Sequence, residues 1–471
     1  MCGIVGAVAE RNVVPILMEG LRRLEYRGYD SAGIAIRTDD GMVRVRRVGK
    51  VQELQNALDE SPVRGGTGIS HTRWATHGVP NETNAHPHLS SEKIAIVHNG
   101  IIENYEELRN DLKAKGYEFT SDTDTETIAH RIHYNAQQAD DFIGAVRITV
   151  AELEGAYAIA VMNTDSPEQL VIARQGAPAV VGIGIGENFV ASDVAALLPV
   201  TRNFIFLEEG DVALVERKQV TIWNEQGERV EREVRESALD ADAAERGEFR
   251  HYMLKEIYEQ AAAVGRTLDG RIVDGRVLEA SFGPLANDAL DKTKGVHIVA
   301  CGTSFHAGLV ARYWIEALCG LPCTVEIASE YRYRSPVVPE NTLFVTISQS
   351  GETADTLAAL RAAKEAGYIS TLTICNVPES SMVRESDLTM MTHAGPEIGV
   401  ASTKAFTTQL AALALLTISL ARRGGLEERQ ERALVAQLAE LPDLIKQVLE
   451  LDESIEALAK HFADKHHALF L

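Results

Sequence analysis

The sequence predicts a multidomain chain of mixed class, with an α+β domain over residues 2–225 and a doubly wound parallel-sheet α/β domain over 249–450. Three observations lead there. Short apolar runs crowd the first half without regular helical partners. In the second half, apolar runs alternate with helical patterns. A charged stretch nearly free of aromatic residues, 226–248, lies between them and reads as a linker. At 471 residues the chain exceeds one ordinary core, which agrees with two or three domains.

The first part opens on MCGIVGAVAE, where a strand begins directly after Cys2 and anchors the terminus in a sheet. Further strands are expected at KIAIVHNG, GAYAIAVM, QLVIARQG, NFVAS and FIFLEEGDVALV, with helices at VVPILMEGLRRLEY and NYEELRNDLKAKGY. After the linker, HYMLKEIYEQAAAVGRTL has helical periodicity. The runs GVHIVACG, NTLFVTIS, STLTICN and LTMMTHAG are each followed by a small polar loop, and helical segments such as ADTLAALRAAKEAGY separate them. That is the pattern of βαβ crossovers in a parallel sheet. Residues 451–471 end on DKHHALFL, where a new apolar strand is expected to start a further domain.

Acidic residues exceed basic ones, 68 against 46, for a formal charge of −22. Such a surface repels phosphate backbones and anionic lipid, so no nucleic-acid or membrane partner is expected. Local backbone donors still allow a small anionic ligand. The most apolar helical stretch, LAALALLTISLARR, is shorter than a bilayer span, and GIVGAVA lacks the basic leader of a secretory signal. The five cysteines (2, 301, 319, 323 and 375) show no framework spacing, which fits reduced thiols in the cytoplasm. Cys319 and Cys323 have no histidines nearby and read as core residues, not zinc ligands.

Four polar clusters punctuate the first part: YRGYDSAG (26–33), HTRWATHG (71–78), HNG (98–100) and SDTDTE (121–126). By itself each has an ordinary explanation as a turn, a hairpin dipeptide or a helix cap. Histidines 71, 77, 86, 88 and 98 follow no metal-ligand spacing, and no metal is expected. With Cys2 the clusters gain a common chemistry. Once Met1 is removed, a thiol and an α-amine share one residue, and their ordinary pKa values, about 8.5 and about 8, permit proton exchange near neutrality. An Asn side chain and the following Gly N–H can stabilise an oxyanion.

MCGIVG, YRGYDSAG, HTRWATHG, VHNGIIENY and the TDTE segment resemble the class II glutamine amidotransferases, whose fold is the αββα N-terminal nucleophile hydrolase. Within them the pattern is similar to the glutamine–fructose-6-phosphate aminotransferases. The resemblance implies Cys2 as nucleophile with its α-amine as base, and Asn99 and Gly100 as the oxyanion hole. It implies Arg73 for the glutamine carboxylate and Asp124 for its ammonium, with Trp74, Thr76 and His77 in a loop that covers glutamine and closes an ammonia path.

In the second part, LFVTISQSGETADT (343–356) reads as a strand, a Ser/Gly loop and a helix start, an arrangement that suits a phosphate or simply caps a helix. ACGTSFHAG (300–308) repeats it after the preceding strand, and both loops belong at the carboxyl edge of a parallel sheet. CGTS, SQSGET and IGVASTKAFTTQ resemble a sugar isomerase (SIS) domain. The resemblance implies that Cys301, Gly302, Thr303, Ser304, Ser348, Gln349, Ser350 and Thr353 hold fructose 6-phosphate, with the Val400 backbone beside the sugar. No dinucleotide fingerprint or Walker lysine is present, so no cofactor is implied.

The family carries a second SIS domain, which supplies its lysine, glutamate and histidine for ring opening and isomerisation. No residue of 1–471 is assigned to those roles, and glutaminase activity alone is expected of this stretch. The expected substrates are L-glutamine and D-fructose 6-phosphate, the products glucosamine 6-phosphate and glutamate, and the assembly a homodimer through SIS domains. Two other readings are an amidotransferase acting on another phosphosugar and a sugar-phosphate sensor. The Cys2, Arg73, Asn99 and Asp124 set disfavours the sensor, which needs no nucleophile.

Overall fold

A computed structural model describes residues 2–25, 29–74, 77–237, 249–399, 401–465, 467 and 469. The chain divides into two compact units, Met1–Asp242 and Ala243–Leu471.

The first unit is built on two antiparallel sheets. One has eight strands, in the order Val234–Glu236, Asn203–Phe206, Val180–Ile183, Asn188–Ala191, Gly3–Val8, Thr67–Arg73, Ser31–Thr38 and Gly41–Val48. The other has seven, in the order Arg229–Val230, Val220–Trp223, Val212–Glu216, Gln169–Gln175, Gly155–Asn163, Ile94–Ile102 and His88–Ser90. Alternation along the strands sets the layers. Ile4 and Val8 join Ala95, Val97 and Ala160 in a core between the sheets. Val5 and Ala7 face the other way, onto Leu17 and Leu21 of the helix Val14–Leu24. On the far side, Ile96 and Ile159 pack on Ile128 and Ile132 of the helix Asp124–Ala136. The stacking is therefore helix, sheet, sheet, helix. Gly3–Val8 is a central strand, paired on both edges, so Cys2 is fixed at the rim of the sheet.

Arg229–Val230 and Val234–Glu236 are edge strands of these sheets, so sheet structure continues into the charged stretch expected as a linker. Residues 238–248 of that stretch lie outside the described residues.

The second unit holds a five-stranded parallel sheet in the order Cys323–Ile327, Gly295–Ala300, Thr342–Ser348, Ser370–Cys375 and Leu388–Met391. Both faces are covered. Ala307 and Ile315 of the helix Gly302–Cys319 pack on one face with Leu413 and Leu416 of Lys404–Arg423; Leu357 and Leu360 of Ala354–Glu365 pack on the other. The strand order reverses beside Gly295–Ala300, which pairs with Cys323–Ile327 and Thr342–Ser348. That reversal is the switch point at which open α/β sheets bind ligands.

Lys404–Arg423 runs for 20 residues, longer than its apolar stretch suggested. By length and composition it could cross a membrane, yet 78% of its most apolar window is buried inside the unit, so it is a core helix here. Cys319 and Cys323 are buried, as expected, and burial pushes both thiols up to about 12. The expected strand at HALFL, residues 467–471, falls largely on 468, 470 and 471, outside the described residues.

Candidate active site

The first cleft, with an empty volume of about 260 Å³, lies at the carboxyl end of Thr67–Arg73. Cys2, Arg73, Trp74, His77, Gly100 and Asp124 line it together. Register explains why residues so far apart in sequence meet. Gly3 pairs with Thr72 across neighbouring strands, which sets Cys2 against the end of the HTRW run. Asn99 and Gly100 come from Ile94–Ile102 of the other sheet, and Asp124 begins the helix Asp124–Ala136.

Cys2 Sγ accepts a hydrogen bond from the Trp74 N–H at 3.2 Å. Burial is the largest influence on the thiol and pushes its pKa up; the Trp74 amide, the chain's amino group and Arg73 pull it down. A thiol raised by burial needs a base near neutrality. Asn99 Nδ2 donates to the Cys2 carbonyl at 3.2 Å, so the nitrogen end of its amide faces Cys2. Gly100 has φ +134°, and an added Cβ would stand 1.9 Å from the Ala156 carbonyl oxygen. Only glycine permits this backbone path beside the cleft.

Arg73 is buried. Its Nη2 donates to the His77 carbonyl and, at 3.4 Å, to that of Gly78, while Nη1 stands 3.6 Å from Asp30 Oδ1 without a hydrogen bond. A substrate carboxylate would complete that guanidinium. Asp124 Oδ2 accepts from the Ile102 N–H at 3.0 Å, at the positive end of its helix. Trp74 is exposed, and His77 packs edge-on to Tyr105 with ring centroids 5.2 Å apart. Thr76 lies outside the described residues.

Beneath the cleft is a layer of buried imidazoles that sequence reasoning considered only as metal ligands. His71 and His86 stack at 4.2 Å, and His86 meets His88 edge-on at 5.0 Å. Burial pulls His71 down to about 3 and His86 and His88 well below their ordinary value. Among the described residues, no group of three or more His, Cys, Asp or Glu side chains is placed to hold a metal. Asp30 and Glu126 were also missed as individual residues, although both lie in clusters that the sequence marked. Glu126 accepts from the Thr120 and Ser121 amides at 2.9 and 2.7 Å and so fixes the loop before Asp124.

In the second unit, two loops follow adjacent parallel strands at the switch point, since Ala300 pairs with Ile347. Cys301 caps the helix that starts at Gly302; Thr303 lies in its exposed first turn, and Ser304 is buried. In the other loop, Ser348 Oγ lies 3.1 Å from Thr353 Oγ1 and accepts from the Gly351 N–H at 3.0 Å. Ser350 Oγ accepts from the Glu352 N–H at 3.2 Å, and the Gln349 carbonyl accepts from the Asn376 N–H at 3.3 Å. Gly351 has φ +66°, and a Cβ there would sit 2.0 Å from Ser380 Oγ, so the tight turn requires glycine. Hydroxyls and amides thus gather at the start of Ala354–Glu365. Val400 lies outside the described residues.

A family model described as a glutamine amidotransferase domain matches residues 71–199, and one described as a SIS domain matches 289–419. A glutamine–fructose-6-phosphate aminotransferase [isomerizing] from Shewanella oneidensis is 59% identical over 471 residues, which is 100% of this chain and 77% of that protein. The chain belongs to the glutamine–fructose-6-phosphate aminotransferase family. A second aminotransferase of this family, from Escherichia coli, is 57% identical, again over 100% of this chain and 77% of its own length. Among solved structures, a C-terminal domain of glucosamine-fructose-6-phosphate aminotransferase from Francisella tularensis is 51% identical over 48% of this chain and 63% of its own, with a TM-score of 0.47.

Proposed function

We propose that the protein takes ammonia from L-glutamine at Cys2 and transfers it to D-fructose 6-phosphate, giving D-glucosamine 6-phosphate and L-glutamate. The observation that carries this reading is the gathering of Cys2, Arg73, Gly100 and Asp124 around one cleft in a member of this aminotransferase family.

In the proposed reaction, Arg73 pairs with the α-carboxylate of glutamine and Asp124 with its α-ammonium, which leaves the side-chain amide over Cys2. The α-amine of Cys2, freed by loss of Met1, takes the thiol proton directly or through one water. The thiolate adds to the amide carbon, and Asn99 Nδ2 and the Gly100 N–H stabilise the oxyanion. As the C–N bond breaks, the protonated amine returns its proton to the leaving nitrogen. Ammonia departs and a γ-glutamyl thioester remains. Water, deprotonated by the same amine, then adds to the thioester, and glutamate leaves as the thiol is restored. Trp74, Thr76 and His77 cover the substrate.

On the sugar side, Ser348, Gln349, Ser350 and Thr353, with Cys301, Gly302, Thr303 and Ser304, hold fructose 6-phosphate, and the Val400 backbone lies beside the sugar. The two loops end neighbouring strands at a switch point, which supports this reading. For the stretch 1–471 taken alone we expect glutamine hydrolysis without amino-sugar formation, because its candidate sugar site offers hydrogen-bond donors and no assigned base. A homodimer and a cytoplasmic location complete the proposal.

Amide-labelled glutamine with and without fructose 6-phosphate tests it. Labelled ammonia and glutamate from residues 1–471 are expected. Absence of glutamate would contradict the glutaminase reading, and label in amino sugar would show that residues 1–471 already hold the complete synthase site.

A further inference from the structure

The oxyanion donor Asn99 is held by a second side chain. Asn99 Oδ1 lies 3.0 Å from His71 Nε2, while Asn99 Nδ2 lies 3.2 Å from the Cys2 carbonyl. A carbonyl oxygen can only accept, so the nitrogen end of the amide must face Cys2 and the oxygen end must face His71. His71 must then carry its proton on Nε2.

The ring has little freedom to turn. It is fully buried on the strand Thr67–Arg73, stacked on His86 at 4.2 Å with 25° between the planes. His86 is tied in its turn: Nδ1 accepts from the His98 N–H at 3.4 Å, so Nε2 donates to Thr125 Oγ1 at 3.2 Å. Burial holds His71 neutral, with its pKa pulled down to about 3, so it is neither a general base nor a charge for the reaction.

We infer that His71 is a positioning residue, whose Nε2–H fixes the rotation of the Asn99 amide so that Nδ2 stays aimed at the developing oxyanion. This rests on the reading of Asn99 as an oxyanion donor. Without His71 the amide can turn end for end, and the misdirected form presents an oxygen to an oxyanion. The loss falls on transition-state binding and leaves the ground-state clamps at Arg73 and Asp124 in place.

Glutamine and asparagine at position 71 make the test. In His71→Gln the side-chain amide nitrogen reaches the place of Nε2; in His71→Asn it reaches only the place of Nδ1. Both are polar and similarly buried, so a general structural role would treat them alike. Glutaminase kinetics on the whole chain should show His71→Asn reducing kcat by about 10- to 100-fold with the glutamine KM within about twofold. His71→Gln should recover most of kcat. The affinity of a γ-aldehyde analogue of glutamine, which adds to Cys2 and forms the oxyanion, should follow kcat across the series.

Equal activity of the two variants, or a loss expressed in KM alone, would overturn the inference. If one variant fails to fold, the other still decides: an active Asn variant or an inactive folded Gln variant counts against it. Asn99→Ala separates the two levels. If it retains normal turnover, the oxyanion reading itself fails. If it loses about 100-fold or more while folded His71→Asn loses nothing, only the role of His71 fails.

Discussion

The Trp74 N–H donates to Cys2 Sγ across 3.2 Å, joining the residue that precedes one central strand to the residue that follows its antiparallel neighbour. The bond partly offsets the burial that raises the thiol. Cys2→Ala removes the proposed nucleophile and leaves the strand pairing of Gly3 with Thr72 intact. We expect glutamine hydrolysis to fall by at least about a thousand-fold with an unchanged unfolding midpoint. Near-normal turnover by this variant would remove Cys2 from the mechanism.

Arg73 and Asp124 are assigned to the two charged ends of glutamine, which the chemistry does not alter. Arg73→Ala and Asp124→Asn should therefore raise the glutamine KM, each by roughly 10- to 100-fold, the range for a hydrogen bond to a charged group. The kcat at saturating glutamine should change less. Initial-rate measurements of glutamate release check this, and an unaltered KM in either variant contradicts its assignment.

Ser348 and Thr353 share a hydrogen bond at 3.1 Å in the loop before Ala354–Glu365. Replacing either by alanine should weaken fructose 6-phosphate binding by about 2- to 10-fold, the effect of one neutral hydrogen bond. Basal glutaminase activity should stay within about twofold. Equilibrium titration with the sugar phosphate reads the first and glutamate release the second.

The buried imidazoles make the first unit sensitive to acid. His71, His86 and His88 are neutral in the fold because burial depresses their pKa from an ordinary 6.5. In the unfolded chain they take up protons as the pH drops through that value. A depressed folded pKa gives stability that is complete above about pH 6.5 and is lost as the pH falls toward the folded value. Three such groups predict a loss of roughly 4 kcal/mol between about pH 7.5 and about pH 5.5. Hydrogen exchange in Ile94–Ile102, corrected for its intrinsic rate, measures this; an opening free energy independent of pH contradicts it.

Much of the cleft lining was legible because its residues sit in short local clusters. HTRW and HNG end or cross strands, and TDTE starts a helix, so their spacing survives in the sequence. The SQSGET loop was readable for the same reason, as a turn between a buried strand and a helix. The histidine layer was not. His71 and His86 come from separate segments and meet only through tertiary packing, so no spacing marks them. Arg229–Val230 and Val234–Glu236 were hidden because edge strands expose polar side chains and read as a solvated linker. Lys404–Arg423 extends beyond its apolar run because its polar first turns, including Thr408 and Gln409, are buried by the rest of the unit.

Opening of glutamine by the thiol of an amino-terminal Cys2 can be trapped by acid quenching during steady-state turnover, followed by peptide mass spectrometry. A γ-glutamyl adduct is expected on a peptide that begins at Cys2, absent when glutamine is omitted. A γ-glutamyl adduct on any other residue, or full activity in protein whose Met1 is retained, would contradict it.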